Sequence, residues 1–254
     1  MELIRGFITA FRTLSIIPVP GKDSANFSNA LYGFSFVGGV LGAIQFGIVT
    51  GFYRLTGNQW PEGLALILVV VGILLTRGMH LDGLADFADG FWGGYNRTRT
   101  LAIMKDSFLG TFGVIALITV LLAKWIALVR LFELTGFAWI ASAYLISRTM
   151  MVDLIVSFPY AREEGTAGPF IANAGKRHRV FSFTWVAGVL YLLNGLAGPA
   201  ALAIVWSLTR FYGMYCMKRV GGITGDLLGA WCEMTETLVP VLAVIYILIE
   251  TIYF

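Results

Sequence analysis

From residue 31 to residue 53 the chain runs without a charged side chain, and comparably apolar runs recur at 63–77, 108–129, 136–158, 180–216 and from 238 onward. Runs of this length constrain a fold severely. A backbone in lipid must satisfy its own hydrogen bonds, which leaves helices or closed barrels. Barrel strands would read as short alternating segments, and none is evident. The predicted class is an all-α, polytopic integral membrane helical bundle. Composition agrees: charged residues make up 13%, against about a quarter in soluble domains, and the mean hydropathy is +0.78.

Residues 1–17 carry Arg5 and Arg12 among Leu3, Ile4, Phe7, Ile8, Phe11 and Leu14, the pattern of a helix lying in the membrane interface. Those arginines interrupt the run, unlike a secretory signal, and Pro18 and Pro20 are expected to end it. Gly38 and Gly42 form a GxxxG in the first span, which permits close helix packing. A loop with Gly57, Asn58 and Pro61 leads to the second span, 63–77, whose uncharged core is short for a crossing. The run 180–216 is too long for one crossing and breaks near Asn194, Gly195, Gly198 and Pro199, so it is read as two spans. Residues 218–236 form a polar stretch, and the last span starts at 238. The expectation is about seven transmembrane helices, or six if the second is re-entrant, in a single transmembrane domain covering 1–254. Cys216 and Cys232 lack metal-ligand spacing and offer no disulfide framework.

Charge orients this bundle. With seven spans, Arg5, Arg12, Lys22, Arg77, Arg97, Arg99, Lys105, Arg162, Lys176, Arg177, Arg179, Lys218 and Arg219 all fall on one side, while the opposite loops hold only Arg54 and Arg130. By the positive-inside rule the N-terminus is cytoplasmic and the C-terminus outside. The polar stretches after the second, fourth and sixth spans then share the cytoplasmic face, where one site can draw on all three.

The first of these stretches places Asp82, Asp86 and Asp89 beside His80 and follows them with Lys105 and Asp106. On a helix, spacings of four and seven put the three carboxylates within roughly a 60° wedge. Any one of them is explained by a solvated helix face. Together with His80 and Asp106 they point to a hard divalent cation, with Mg²⁺ bridging carboxylates to substrate phosphates. Asp226 and Glu233 form a second acidic face, with Glu236 beyond, and follow Gly221, Gly222 and Gly225. Glycine-rich turns into a helix can present N–H groups to phosphate, although a tight turn explains the glycines equally well.

Arg148 and Asp153 inside the fourth span are too costly to face lipid and are expected to face the interior, satisfying each other or neighbouring polar groups, or touching substrate. Lys124 and Glu250 lie nearer span ends and are read as snorkelling structural residues. Arg162 is a phosphate candidate, because a guanidinium fork matches phosphate geometry. Arg177 and Arg179 are read as topology determinants. His80, bonded to a carboxylate, can serve as general base toward a substrate hydroxyl or simply orient an aspartate.

HLDGLADFADG at 80–90, MKDSFLGTFG at 104–113, Ser147 with Arg148, YAREEG at 160–165, and GGITGDLLGA at 221–230 with Glu233 beyond together resemble the cobalamin synthase family, from the early Pro18 and Pro20 to the last polar loop. Its members are adenosylcobinamide-GDP ribazoletransferases. The resemblance implies a Mg²⁺-dependent transfer at the inner membrane: the 3′-hydroxyl of α-ribazole, or of its 5′-phosphate, attacks the cobinamide-side phosphorus and expels GMP. On that reading Asp82, Asp86, Asp89 and Asp106 are the metal ligands. His80, Asp82, Lys105, Arg148 and Arg162 carry catalysis and phosphate contacts, and Gly222, Gly225, Asp226 and Glu233 bind substrate. Expected partners are the two small-molecule substrates and membrane lipid. Self-association or association with other B12-pathway enzymes is left open, and no nucleic acid is expected. The competing readings are another membrane-embedded Asp-rich phosphotransferase or prenyltransferase, a secondary transporter suggested by the intramembrane charges, and a non-catalytic scaffold.

Overall fold

Lipid offers helices no hydrophobic reward for associating, so small residues that let backbones approach decide which helices meet. In this chain they select α2 (Leu31–Thr56) and α7 (Ala138–Ser157) as the central pair. A Cβ on Gly38 would collide with the Tyr144 carbonyl, and one on Gly42 would lie 2.8 Å from the Ala141 Cα. Nearly every side chain of α7 is buried, and the other elements surround it. The structure, a computed structural model, describes residues 1–57 and 59–253; Asn58, read above as loop, and Phe254, read as the end of the last span, lie outside the described residues.

The remaining helices are α1 (Glu2–Leu14), α3 (Pro61–Thr76), α4 (Met79–Gly93), α5 (Arg97–Ile103), α6 (Thr111–Glu133), α8 (Gly168–Ile171), α9 (Lys176–Asn194), α10 (Ala197–Val220) and α11 (Gly225–Tyr253), with a 3-10 turn at Phe27–Ala30. Among the described residues there is no strand, only a parallel bridge between Tyr160 and Ile223. The bundle is that of a polytopic membrane protein, as the apolar runs require.

Four helical stretches are long and apolar enough to cross a membrane: Phe27–Thr56, Thr111–Glu133, Ala138–Ser157 and Gly225–Ile252. A fifth crossing arises if α3 and α4, bent by 91°, count as one broken span. The re-entrant alternative for the second span has its counterpart in this bend. Arg77 and Gly78 both adopt left-handed φ, 56° and 65°, and turn the chain. A non-glycine residue there is strained. The bend is braced against the end of α1, where Ile16 N donates to Leu75 O at 2.8 Å and Arg77 Nη2 to Ser15 O at 3.3 Å.

Helices α9 and α10 break at Gly195, near the expected point, but fall outside the apolar set. Lys176, Arg177 and Arg179 crowd the first turn of α9, and Arg210, Lys218 and Arg219 interrupt α10. Two boundaries shift. Helix α1 ends at Leu14, well before Pro18, because Ser15 adopts an extended conformation and returns its hydroxyl to Phe11 O at 2.8 Å. The expected polar stretch 218–236 is largely helical: α10 reaches Val220, and α11 starts at Gly225 and carries the acidic residues on its first turns.

Candidate active site

Helix α4 lies against the start of α11 because two glycines permit contact. A Cβ on Gly83 would come within 2.6 Å of Asp226 O, and one on Gly229 within 3.2 Å of the His80 Cα. Asp82 and Asp86, one turn apart, are thereby brought beside Asp226. Asp82 is exposed, while Asp86 and Asp226 are half-buried. Asp86 feels Asp226, Asp82 and Asp89 as like charges and Arg162 as the opposing one. Arg162 Nη2 sits 2.8 Å from Asp226 Oδ2 and donates to Met104 O at 3.3 Å.

Arg162 reaches this position through backbone pairing. Ala161 N donates to Ile223 O and Ile223 N to Pro159 O, both at 2.9 Å. Gly222 has φ 155°, and a Cβ there would strike the Pro159 carbonyl oxygen. Two buttressing arginines tie the loops together: Arg97 donates to Val220 O at 2.7 Å and Ala161 O at 2.9 Å, and Arg219 to Phe91 O at 2.8 Å and Gly94 O at 2.9 Å. Gly222 therefore serves the loop pairing. Gly225 opens α11 against Thr166, and Thr224 Oγ1 accepts from Leu227 N at 3.3 Å as its cap.

Tyr160, absent from the residues singled out by sequence, stands beside this pair. Burial pushes its phenol above the usual range, with Arg162 opposing and Asp226 adding to the shift. It therefore remains a hydrogen-bond donor at neutral pH. Its place immediately before Ala161 and Arg162 was the available signal.

The other expected site residues are distributed differently. Asp89 is buried, and its two oxygens accept from Gly110 N at 2.7 Å and Gly113 N at 2.9 Å. It thereby holds the N-terminus of α6, a favourable position for a carboxylate. Lys105 and Asp106 are exposed on the turn after α5, where Asp106 Oδ1 accepts from Phe108 N at 3.2 Å. The Met104 bond to Arg162 tethers that turn to the site.

Arg148 and Glu233 lie deeper, in a separate buried network. Lys124 Nζ is 2.5 Å from Glu233 and 3.3 Å from Glu236, and Arg148 pairs with the other Glu236 oxygen. Arg148 is fully buried, donates to Ser147 Oγ at 2.9 Å and lies over the Tyr144 ring at 5.3 Å. This corrects one expectation: Lys124 does not snorkel, because α6 packs on α11 where two carboxylates await it. Arg148 and Asp153 face the interior as expected and are satisfied by neighbouring polar groups rather than by each other: Asp153, also fully buried, is 3.5 Å from both Arg179 and Arg210. Arg179, read from sequence as a topology determinant, thus has a pairing role in the bundle.

His80 stands between the two clusters. It is 1% exposed, and among the described residues neither ring nitrogen has a hydrogen-bond partner. A ring nitrogen, Cys232 Sγ and a Glu236 oxygen lie within 4.8 Å of one another. Those donor types could ligate a metal, yet Arg148 and Lys124 already neutralise Glu236 and would repel a further cation. The Asp82, Asp86 and Asp226 set is the opposite case. It is all oxygen, with one guanidinium among three carboxylates, and that composition fits a hard divalent cation.

Two spaces flank Asp82. One is a cavity of about 400 Å³ bordered by His80, Asp82 and Asp226 and by Leu14, Phe34, Met151 and Phe170. The other is an open groove of about 560 Å³ between Arg77, Leu81, Asp82, Leu109 and Leu117.

Fold and site together define a polytopic helical membrane protein with a carboxylate-rich centre where α4 meets the start of α11. The model of the cobalamin-5-phosphate synthase family matches residues 6–244, and the chain belongs to that family. Proteins named adenosylcobinamide-GDP ribazoletransferase are similar to it over nearly full length. The one from Chlorobium phaeovibrioides is 44% identical, covering 93% of this chain and 96% of its own. That from Chlorobium chlorochromatii is 42% identical over 93% and 94%, and that from Desulforamulus reducens 38% over 90% and 91%. No solved structure matches the chain at a significant level.

Proposed function

We propose that this protein is an adenosylcobinamide-GDP ribazoletransferase that works with Mg²⁺ at the inner membrane, its acidic face toward the cytoplasm. The observation that carries the reading is the convergence of Asp82, Asp86 and Asp226 around Arg162, in a chain whose relatives bear that name. The positive-inside asymmetry of the loops supports the orientation. The intramembrane charges that would favour a transporter are largely consumed in pairs within the bundle.

In the proposed reaction the 3′-hydroxyl oxygen of α-ribazole forms a bond to the cobinamide-side phosphorus. The phosphorus–oxygen bond of the diphosphate bridge breaks, and GMP leaves with its electron pair. Asp82, Asp86 and Asp226 would hold Mg²⁺, which when bound neutralises the diphosphate and stabilises charge on the leaving phosphate. Arg162 offers its fork to a non-bridging phosphate oxygen, exchanging part of its bond to Asp226. Tyr160 donates a hydrogen bond at the same edge. His80, whose ring nitrogens have no partner among the described residues, accepts the hydroxyl proton. Lys105, on the tethered turn, extends over the outer phosphate. Arg148 and Glu233 act at a distance, fixing the segment of α11 that carries Asp226.

The test is direct. Purified protein is incubated with adenosylcobinamide-GDP, α-ribazole and Mg²⁺, with and without chelator, and GMP and corrinoid products are followed. Equimolar GMP and cobalamin supports the reading; no corrinoid product overturns it.

A further inference from the structure

We propose that the cavity between α1, α2, α4, α7, α8 and the start of α11 is the binding site for the flat bicyclic base and ribose of the nucleophilic substrate, and that the more open groove across Asp82 takes the corrinoid, whose diphosphate reaches the carboxylates at Asp82. This rests on the ribazoletransferase reading and adds to it which space receives which substrate.

Size divides the two ligands first. A cavity of about 400 Å³ lies near the lower end of the range that holds small organic ligands, roughly 300–1,000 Å³. A bicyclic base on a pentose fits such a volume. A macrocycle with its ring of amide side chains and a nucleotide tail does not, and needs a space open to the outside.

Chemistry divides them again. The cavity wall is aromatic and thioether: Phe34 and Phe170, with ring centroids 5.6 Å apart, and Met151, all less than a tenth exposed. Flat apolar rings and polarizable sulfur suit an aromatic heterocycle. Charge and hydrogen-bonding capacity come from His80, Asp82, Asp226 and Thr166, which the contact of α4 with the start of α11 keeps together. A ligand with an apolar ring at one end and hydroxyls at the other therefore has a single sensible orientation, with its sugar toward the carboxylates. His80 supplies the independent sign of a ligand. It is almost wholly buried, borders the cavity and has two ring nitrogens without partners among the described residues. Leaving a buried imidazole without a partner is costly, and a substrate hydroxyl removes that cost.

Asp82 borders both spaces, so a hydroxyl arriving from the cavity and a phosphorus arriving from the groove meet at one carboxylate. Thr13 and Leu14 make the end of α1 part of the cavity wall, which gives the interfacial helix a share in substrate recognition.

The experiment is a two-substrate steady-state analysis of the full-length protein in lipid nanodiscs. Ala167→Leu fills the cavity from a buried wall position and is expected to raise KM for α-ribazole tenfold or more while KM for adenosylcobinamide-GDP moves less than twofold. Met151→Ala enlarges the cavity and is expected to improve kcat/KM at least fivefold for an α-riboside whose benzimidazole carries bulkier alkyl groups. If Ala167→Leu does not accumulate, Met151→Ala decides alone. Equal KM shifts for both substrates, a shift confined to the corrinoid, or no change in base preference overturns the cavity assignment and leaves the activity standing. No turnover by the unmodified protein overturns both.

Discussion

Arg162 and Asp226 meet at 2.8 Å because the two loops that carry them are paired through Ala161 and Ile223 backbone groups. The pair is partly solvated, so its own contribution to stability is small, about 0–1 kcal/mol. Its value is positional: it holds a guanidinium fork at the edge of three carboxylates. Arg162→Lys keeps the charge and loses the fork, and kcat is expected to fall roughly 10- to 100-fold, about 1.4–2.8 kcal/mol. Stopped-time assays of GMP release check this. Full activity in the lysine variant would remove the fork from the mechanism.

Asp82→Asn and Asp86→Asn each remove one negative charge from the proposed cation site. GMP release is expected to drop at least 100-fold in each, about 2.7 kcal/mol or more, while the proteins still insert and purify. Turnover retained in both variants would eliminate the metal reading.

Asp89 is expected to behave differently from its neighbours. Its two oxygens hold the N-terminus of α6 through Gly110 and Gly113. Asp89→Ala should cost about 1–2 kcal/mol of stability and lower the Tm of the purified protein by several degrees. Asp82→Asn should leave Tm nearly unchanged. Equal Tm values for the two variants would contradict this division.

Gly222→Ala introduces a side chain at φ 155° and against the Pro159 carbonyl. Strain of about 1–3 kcal/mol is expected to separate the paired loops. Turnover should fall more than tenfold with only modest loss of folded protein, read by parallel activity and thermal-shift measurements.

Lys124→Met leaves Glu233 and part of Glu236 unpaired inside the bundle. Breaking such a network from one side costs about 3–5 kcal/mol. The double variant Lys124→Met with Glu233→Leu removes both charges of the closest pair and should recover much of that loss in thermal melts. A double variant no more stable than the single one would argue against the pairing.

Much of this protein is legible along the chain. Uninterrupted apolar runs dictate a helical membrane bundle, since lipid leaves the backbone no other partner, and the four- and seven-residue spacings put Asp82 and Asp86 on one helical face. Those are local properties of a periodic chain. Which carboxylates keep company is not local. Asp89 shares the wedge with Asp82 and Asp86 but is taken by the start of α6. Glu233 shares a helix face with Asp226 but belongs to Lys124. The contacts that decide this are the two glycines at the crossing of α4 and α11, the bracing of the turn at Arg77 and Gly78 against the end of α1, and the backbone pairing that carries Arg162 inward. Each joins segments far apart in the chain, where no periodicity reaches, so only the packed bundle could sort the acidic residues into those gathered around Arg162 and those holding the helices together.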